Sequence, residues 1–531
     1  MRGLGVALFA LIAMTGASAA PYDVTEKSIL TLQQDLRAGR VTSEGLVRAY
    51  LARIKAIDRA GPSLHSVIAV NPQALTQARV FDAERRTGEV LGPLQGIPIL
   101  IKDNIETADP MPTTAGSLAL SDNITHRDAR IVARLRAAGA IILGKTNLSE
   151  WANIRSSHSI SGWSAIGGLT KNPYVLDRGP CGSSAGSAVA VSASLAAAAL
   201  GTETNGSLVC PGSFDGIVAL KPTVGLVSRT HIVPISHSQD TAGPMTRTVE
   251  EAALMLSVIA GTDPADPATA EADAHKTDYL AALSGASLKG RRLGVVVQDN
   301  PVAPKGTDAV FARAIDAMKA AGADIVTVKT LTPSPENGLD ERSVLEFELK
   351  HDLNDYFASL PPGRKVRSLA DVIAFDNTTP RETVLFGQEL FEEAQARGDL
   401  SDPDYVKTHD RLRASTRAAL DALFADNHID ALVQITADPS QRIDAVRHDG
   451  TGRSASFFPA VAGYPHLTVP MGTVEGLPVG MSFIGPAWSE ATLLQLGTAF
   501  EKVIPPRKAP SFVPSLESMP AIRNAFAPAA R

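Results

Sequence analysis

Two serines and a lysine are the residues of this chain whose types and settings could do chemistry. Ser183 lies in CGSSAGSA at 181–188, Ser207 closes GTETNGS at 201–207, and Lys102 interrupts the apolar run GIPILIKDN at 96–104. A serine hydroxyl is a weak nucleophile until a neighbour takes its proton. Together the three read as a nucleophile, a hydroxyl relay and a base, which would make a serine hydrolase without a catalytic histidine. Gly206 lets the backbone turn tightly before Ser207, so the peptide N–H groups of Thr204, Asn205 and Gly206 can converge on a developing oxyanion. Taken singly, each residue has an ordinary reading. Gly206-Ser207 can be a turn, Ser183 or Ser184 can cap a helix, and a lysine at a strand end can reach water. Burial is what changes the reading of Lys102, because desolvation lowers a lysine pKa until a neutral amine accepts protons near pH 7.

These residues need elements to hold them. Ile97–Ile101 is a short, partly β-branched run, predicting a strand with Lys102 at its end. An Ala-rich helix should follow Ser183, and a helix plus a returning strand fit between Ser183 and Ser207, bringing the hydroxyls side by side. The small apolar run Ala188–Leu200 is too short to span a membrane and reads as a buried core helix. Ser28–Asp58 has helical periodicity with a cap at Thr42 or Ser43, Ala74–Arg86 reads as a helix, and Asp128–Ala138 is amphipathic. Helix-then-strand units at Phe311–Val328 and Thr416–Val433 indicate an α/β protein around a buried sheet. Gly261–Gly290 reads as a surface connection. About 340–423 is a mainly helical insertion over the core and site, with Phe347, Tyr356, Phe386 and Phe391. Strand-like runs return at Leu467–Val469 and Val479–Ile484. Both ends of the chain therefore build the core, predicting one domain over 20–531.

The composition is that of an enzyme, with 44% hydrophobic and 20% charged residues in 531. A formal net charge of −6 without a long basic block argues against nucleic acid or an anionic membrane as partner. The eleven histidines show no metal-ligand spacing, and two cysteines cannot complete a four-ligand site, so no metal is expected. Arg2, the apolar stretch Val6–Met14 and the small residues Ala17, Ser18 and Ala19 read as a cleavable leader over 1–19. That predicts a periplasmic or secreted protein with no integral membrane association. Cys181 and Cys210 each lie within three residues of a proposed catalytic serine, and an oxidising compartment would let them pair. Disulfide geometry is narrow and their separation in space is not readable, so the sequence favours two buried free thiols.

The chain resembles the amidase signature family of Ser–Ser–Lys amide hydrolases. The resemblance rests on GIPILIKDNI at 96–105, TTAGS at 113–117, GKTNLSEWA at 144–152 and CGSSAGSA at 181–188. It continues through GTETNGS at 201–207, GIVALKPTVGLVSR at 216–229, DTAGPMTRTVEEAA at 240–253 and AGYPHLTVPMG at 462–472. It implies a single α/β/α domain around a large mixed sheet, with Ser207 as nucleophile, Ser183 as bridging serine and Lys102 as general base. Thr204, Asn205 and Gly206 would supply oxyanion amides, Ser184 would steady the lysine, and no cofactor would be needed. Many relatives carry an arginine two or three residues after the nucleophile, where this chain has Val209 and Cys210. That departure disfavours acidic substrates and the tRNA-dependent amidotransferase role. Asn205 also stands where a glycine or an acid is common. NLSEWANIRSSHSISGWSA and GTETNGSLVCP most resemble the peptide amidase branch, which predicts a C-terminal peptide amide as substrate and Trp151, Trp163, Phe347 and Tyr356 as possible cleft residues. The rival readings are a broad acylamidase or esterase on aryl or fatty amides, and a non-catalytic family member.

Overall fold

The computed structural model describes residues 22–89, 92–296, 304–450, 452–519 and 522–523. The leader expected at 1–19 lies outside the described residues. The strands are β1 (Val67–Val70), β2 (Pro98–Lys102), β3 (Ile141–Thr146), β4 (Trp163–Ser164), β5 (Gly168–Leu169), β6 (Ala198–Glu203) and β7 (Val218–Lys221). They continue as β8 (Thr241–Thr246), β9 (Arg292–Val296), β10 (Asp324–Val328), β11 (Ala431–Ile435), β12 (His466–Val474) and β13 (Leu477–Ile484). β4 and β5 form a small separate pair. The other eleven strands make one mixed sheet in the order β1-β3-β2-β6-β8-β7-β12-β13-β11-β9-β10.

The sheet's arrangement decides where a site can form. β2 runs parallel to both β3 and β6, so the three strands end on the same edge. From β6 through β8, β7, β12 and β13 to β11 the pairing is antiparallel, and β9 is parallel to β11 and β10. Every residue of β2, β3, β6, β7, β8 and β13 is buried. A parallel stretch of this kind must be covered on both faces, which is the α/β/α arrangement expected. β12 and β13 come from the C-terminal part, and β12 pairs with β7, so one core is built from both ends of the chain.

The cap expected at Thr42 or Ser43 is found at Thr42, and one stretch, Ala188–Leu200, differs from the sequence reading. The periodic stretch 28–58 holds the helices Ile29–Arg37 and Ser43–Arg53, whose caps Ser28 and Thr42 accept from Thr31 N and Gly45 N, and then a π-helical turn, Ile54–Asp58. Gly39, at φ +66°, makes the break. The run Ala188–Leu200 is not a single core helix. The helix Ala185–Ser192 stops there, Ser194 adopts φ +54°, and Ala198–Leu200 already belongs to β6. A short run of small apolar residues has no periodicity to separate helix from strand. The segment around 340–423 is helical as expected, through Pro335–Ser359, Leu369–Thr378, Pro380–Thr383, Glu389–Ala396 and Pro403–Asn427. No helix among the described residues is long and apolar enough to cross a membrane.

The helix Ala185–Ser192 is buried at every residue, and its small side chains let it lie close against β2, β3, β6 and β8. Ser187 Oγ donates to Leu200 O at 3.0 Å and lies 2.7 Å from Thr146 Oγ1. A Cβ at Gly186 would stand 2.4 Å from Ser66 O and 2.5 Å from Asn147 O, both backbone atoms. We therefore expect Gly186→Ala to lower the unfolding free energy by about 1–3 kcal/mol through overpacking. Urea titration checks this, and an unchanged midpoint would show that the helix can shift without cost.

Candidate active site

The parallel strands β3, β2 and β6 end at Thr146, Lys102 and Glu203, and the residues that follow form the site. Carboxyl ends of strands are where open α/β sheets gather ligand groups. Lys102 and Ser183 have no exposed surface, and Ser207 keeps 8% of its surface accessible. Lys102 Nζ donates to Ser183 Oγ at 2.7 Å, to Thr202 Oγ1 at 2.8 Å and to Thr202 O at 3.3 Å. Ser184 N donates to Ser207 O at 3.2 Å, so the two serine-bearing segments run side by side. The Gly182–Ser183 peptide bond is cis, and Ser183 O accepts from Ser149 N at 3.0 Å. The structure thus brings together Lys102, Ser183, Ser184 and Ser207, which are far apart in sequence.

Among the described residues three lysines are wholly buried, and their partners distinguish them. Lys145 lies 3.4 Å from Asp103 Oδ1, while Lys221 donates only to Pro222 O at 3.3 Å. Lys102 is bonded to neutral oxygens alone. Burial pulls its pKa down to about 7, against the opposing pull of the Asp240 and Glu203 carboxylates. A group half neutral at that pH can accept a proton, and Ser183 Oγ is the hydroxyl it touches. Lys221 is pulled down to about 8 by the same desolvation, but no serine adjoins its amine among the described residues.

The loop 204–207 is held from several sides. Gly206 has φ +82°, and a Cβ there would meet Ser456 Oγ at 3.0 Å, so the turn calls for glycine. Among the described residues nothing accepts a hydrogen bond from the N–H of Asn205, Gly206 or Ser207. Three successive free donors make a nest for an anionic oxygen. Glu203 Oε2 accepts from Leu208 N at 2.8 Å and Val209 N at 3.2 Å, which fixes the chain just beyond Ser207. Thr204 Oγ1 donates to Asp240 Oδ1 at 2.6 Å. Asp240 Oδ2 accepts from Ile235 N and Ser236 N, and burial raises its carboxyl to about 6.

Several participants were not singled out in the sequence. Thr202 holds the lysine and itself accepts from Asn104 Nδ2 at 3.0 Å. Both residues lie inside quoted segments, so the signal was present but not resolved to a role. Asp240 opens DTAGP and Glu203 sits within GTETNGS, but nothing local reveals that their carboxyls turn inward. Ser184 makes no hydrogen bond to Lys102. Its Oγ donates to Thr202 O at 2.9 Å and accepts from Thr202 N at 3.2 Å, so it steadies the lysine's support. It is the N-cap residue of Ala185–Ser192 but makes no side-chain capping bond.

Two cavities flank these segments. One, of about 370 Å³, is lined by Asn104, Thr202, Thr204, Asp240 and Tyr356. The other, of about 380 Å³, is lined by Cys181, Cys210, Phe214, Ile160, Asp438 and Arg453. Arg453 is paired with Asp438 at 2.8 Å, so its charge is already matched. Of the aromatics proposed for the cleft, only Tyr356 lines one of these cavities. Trp151 packs edge-on to Phe391, Trp163 packs edge-on to Phe386, and Phe347 packs at a tilt against Tyr405; all three are buried. Among the described residues no group of three His, Cys, Asp or Glu side chains could hold a metal ion.

Cys181 and Cys210 correct the sequence reading. They are joined in a disulfide with Cα atoms 6.0 Å apart, not left as buried thiols. The contact between the two serine segments, where Ser184 N meets Ser207 O, brings them within bonding range, a proximity that no local pattern encodes.

Comparison with known proteins gives the class of the chain. The chain belongs to the Amidase family, whose model matches residues 45–494. It is an amidase. A probable amidase of Arabidopsis thaliana is 38% identical over 504 residues, covering 93% of each chain. The native peptide amidase of Stenotrophomonas maltophilia is 49% identical with a TM-score of 0.86, covering 92% of this chain and 99% of that one. A peptide amidase solved with the competitive inhibitor chymostatin is 48% identical with a TM-score of 0.87, over the same shares of the two chains.

The disulfide closes a separation of 29 residues, for which the loss of unfolded-chain freedom corresponds to about 3–4 kcal/mol. We expect the double variant Cys181→Ala, Cys210→Ala to lose stability of that order in guanidinium titration. A loss below about 1 kcal/mol would mean that the pairing does not constrain the unfolded chain.

Proposed function

We propose that the chain hydrolyses the C-terminal amide of peptide amides through a Ser207–Ser183–Lys102 relay, releasing ammonia. The observation that carries this reading is the buried Lys102 amine, without a charged partner, donating to Ser183 Oγ at 2.7 Å. Neutral Lys102 draws a proton from Ser183 as Ser183 takes one from Ser207. The Ser207 oxygen then attacks the amide carbonyl. The N–H groups of the 204–207 loop receive the oxyanion, where one lost donor typically costs about 3–4 kcal/mol of barrier. The relay reverses to protonate the departing amine as ammonia, leaving an acyl-enzyme. Water, deprotonated along the same relay, releases the acid.

The substrate reading is supported by what surrounds Ser207. Val209 is buried and Cys210 is tied into the disulfide, so no cation follows the nucleophile to hold an acidic substrate. The adjoining cavity is partly apolar, and its two arginines already face carboxylates, Arg453 facing Asp438 and Arg442 facing Asp177 and Glu517. Likeness to peptide amidases along nearly the whole chain points the same way. We also propose export to the periplasm or beyond, on the leader-like residues 1–19 and on a disulfide that persists best in an oxidising compartment.

Ser207→Ala and Lys102→Ala should each reduce ammonia release from a peptide amide to background while remaining folded by circular dichroism. Turnover at the wild-type rate in either variant would sink the relay. A panel of a peptide amide, an anilide and a long-chain amide tests the substrate class, with the peptide amide expected to give the highest kcat/KM. The acid limb should follow Lys102. Its amine is protonated as pH falls through about 7, so kcat/KM should be half-maximal near that pH and fall about tenfold per unit below it. A flat profile between pH 5 and 8 would contradict the assignment.

A further inference from the structure

Glu341 belongs to Pro335–Ser359, the first helix of the segment lying over the core, and is 8% exposed. Burial pushes its carboxyl up, and only two amide donors, from Gln239 and Asn205, pull it back; no cation among the described residues contributes. A carboxylate withdrawn from water without a counter-ion is costly, so the groups it does hold are informative. Both belong to the surroundings of Ser207. Asn205 Nδ2 donates to Glu341 Oε1 at 2.8 Å, and Gln239 Nε2 donates to the same oxygen at 2.9 Å.

Asn205 is pinned at its other end as well, where Oδ1 accepts from Ser456 Oγ at 2.6 Å. Its amide plane is therefore fixed between a helix and a C-terminal loop, two residues before Ser207. Gln239 reaches the same loop through Thr204 O at 3.4 Å, and it precedes Asp240, which takes the Thr204 hydroxyl. A glycine at 205 would offer no side chain to this network, and an ionised acid could not donate to Glu341. The asparagine is the residue type that joins the two.

We propose that Glu341 is a positioning residue for the reaction: it fixes Asn205, and through it the free N–H groups of 205–207, in the arrangement that receives the oxyanion. This rests on the reading of Ser207 as nucleophile. The helical segment is then part of the catalytic machinery and not only a cover. Contacts that orient oxyanion donors act in the transition state, so their loss lowers kcat and leaves KM nearly unchanged.

The test measures kcat, KM and melting temperature on a peptide amide for the wild type, Ser207→Ala, Glu341→Ala, Glu341→Gln, Asn205→Ala and the double variant Glu341→Ala, Asn205→Ala. We expect kcat to fall by roughly 10- to 100-fold in Glu341→Ala and in Asn205→Ala, with KM within about threefold. The double variant should be no slower than the slower single one, because the two act as one link. Glu341→Gln keeps an acceptor in place and should recover at least about a third of the wild-type kcat. A wild-type kcat in Glu341→Ala, or losses that multiply in the double variant, would overturn the proposal. Should Glu341→Ala not fold, Asn205→Ala carries the same expectation, and a wild-type kcat there would overturn it. Turnover in Ser207→Ala would instead overturn the reading of the nucleophile, so the two failures are distinguishable.

Discussion

The structure depends on a lysine amine placed where water cannot reach it and no carboxylate pairs with it. Lys102 Nζ has only Ser183 Oγ, Thr202 Oγ1 and Thr202 O for partners. Removing an ammonium from water without a counter-ion is expensive, and the group responds by favouring its neutral form. That response is the useful property, because a neutral amine beside a hydroxyl is a base. The fold must supply the remaining stability, and it does so with a large sheet whose central strands are buried along their whole length.

Around that amine the chain is constrained at every approach. β2 and β6 are parallel neighbours, so Lys102 and Thr202 meet at one edge without any loop being required to find them. Ser184 clamps the Thr202 backbone, and the Cys181–Cys210 disulfide ties the two serine segments together. Glu203 holds the chain after Ser207, and Asp240 holds Thr204 before it. Groups locked in this way need no rearrangement as charge develops, which is the main source of electrostatic catalysis.

Much of this was legible in the sequence because the signals were local. Gly206 before Ser207, the small residues after Ser183 and a lysine ending an apolar strand each carry a physical constraint that survives without neighbours. The α/β alternation and the helical segment near 340–423 were legible for the same reason. What the sequence concealed was proximity. The disulfide was misread because its formation depends on two segments being aligned in space. The run Ala188–Leu200 was misread because small apolar residues suit helix and strand alike. Trp151, Trp163 and Phe347 were offered to a cleft but pack in clusters, since an aromatic side chain does not announce which way it faces. Glu341 gave no signal at all: an acid in a charged helix looks solvated until the loop it touches is placed beside it.

The ionisation of Lys102 is the most direct test. Carbon-13 labelling at lysine Cε in the Ser207→Ala variant, with Lys102 assigned by comparison with Lys102→Ala, would follow its titration without turnover. The account predicts a midpoint near pH 7, well below the ordinary lysine range, set by burial against the residual pull of Asp240 and Glu203. A Lys102 resonance that titrates above about pH 10, like an exposed lysine, would contradict it.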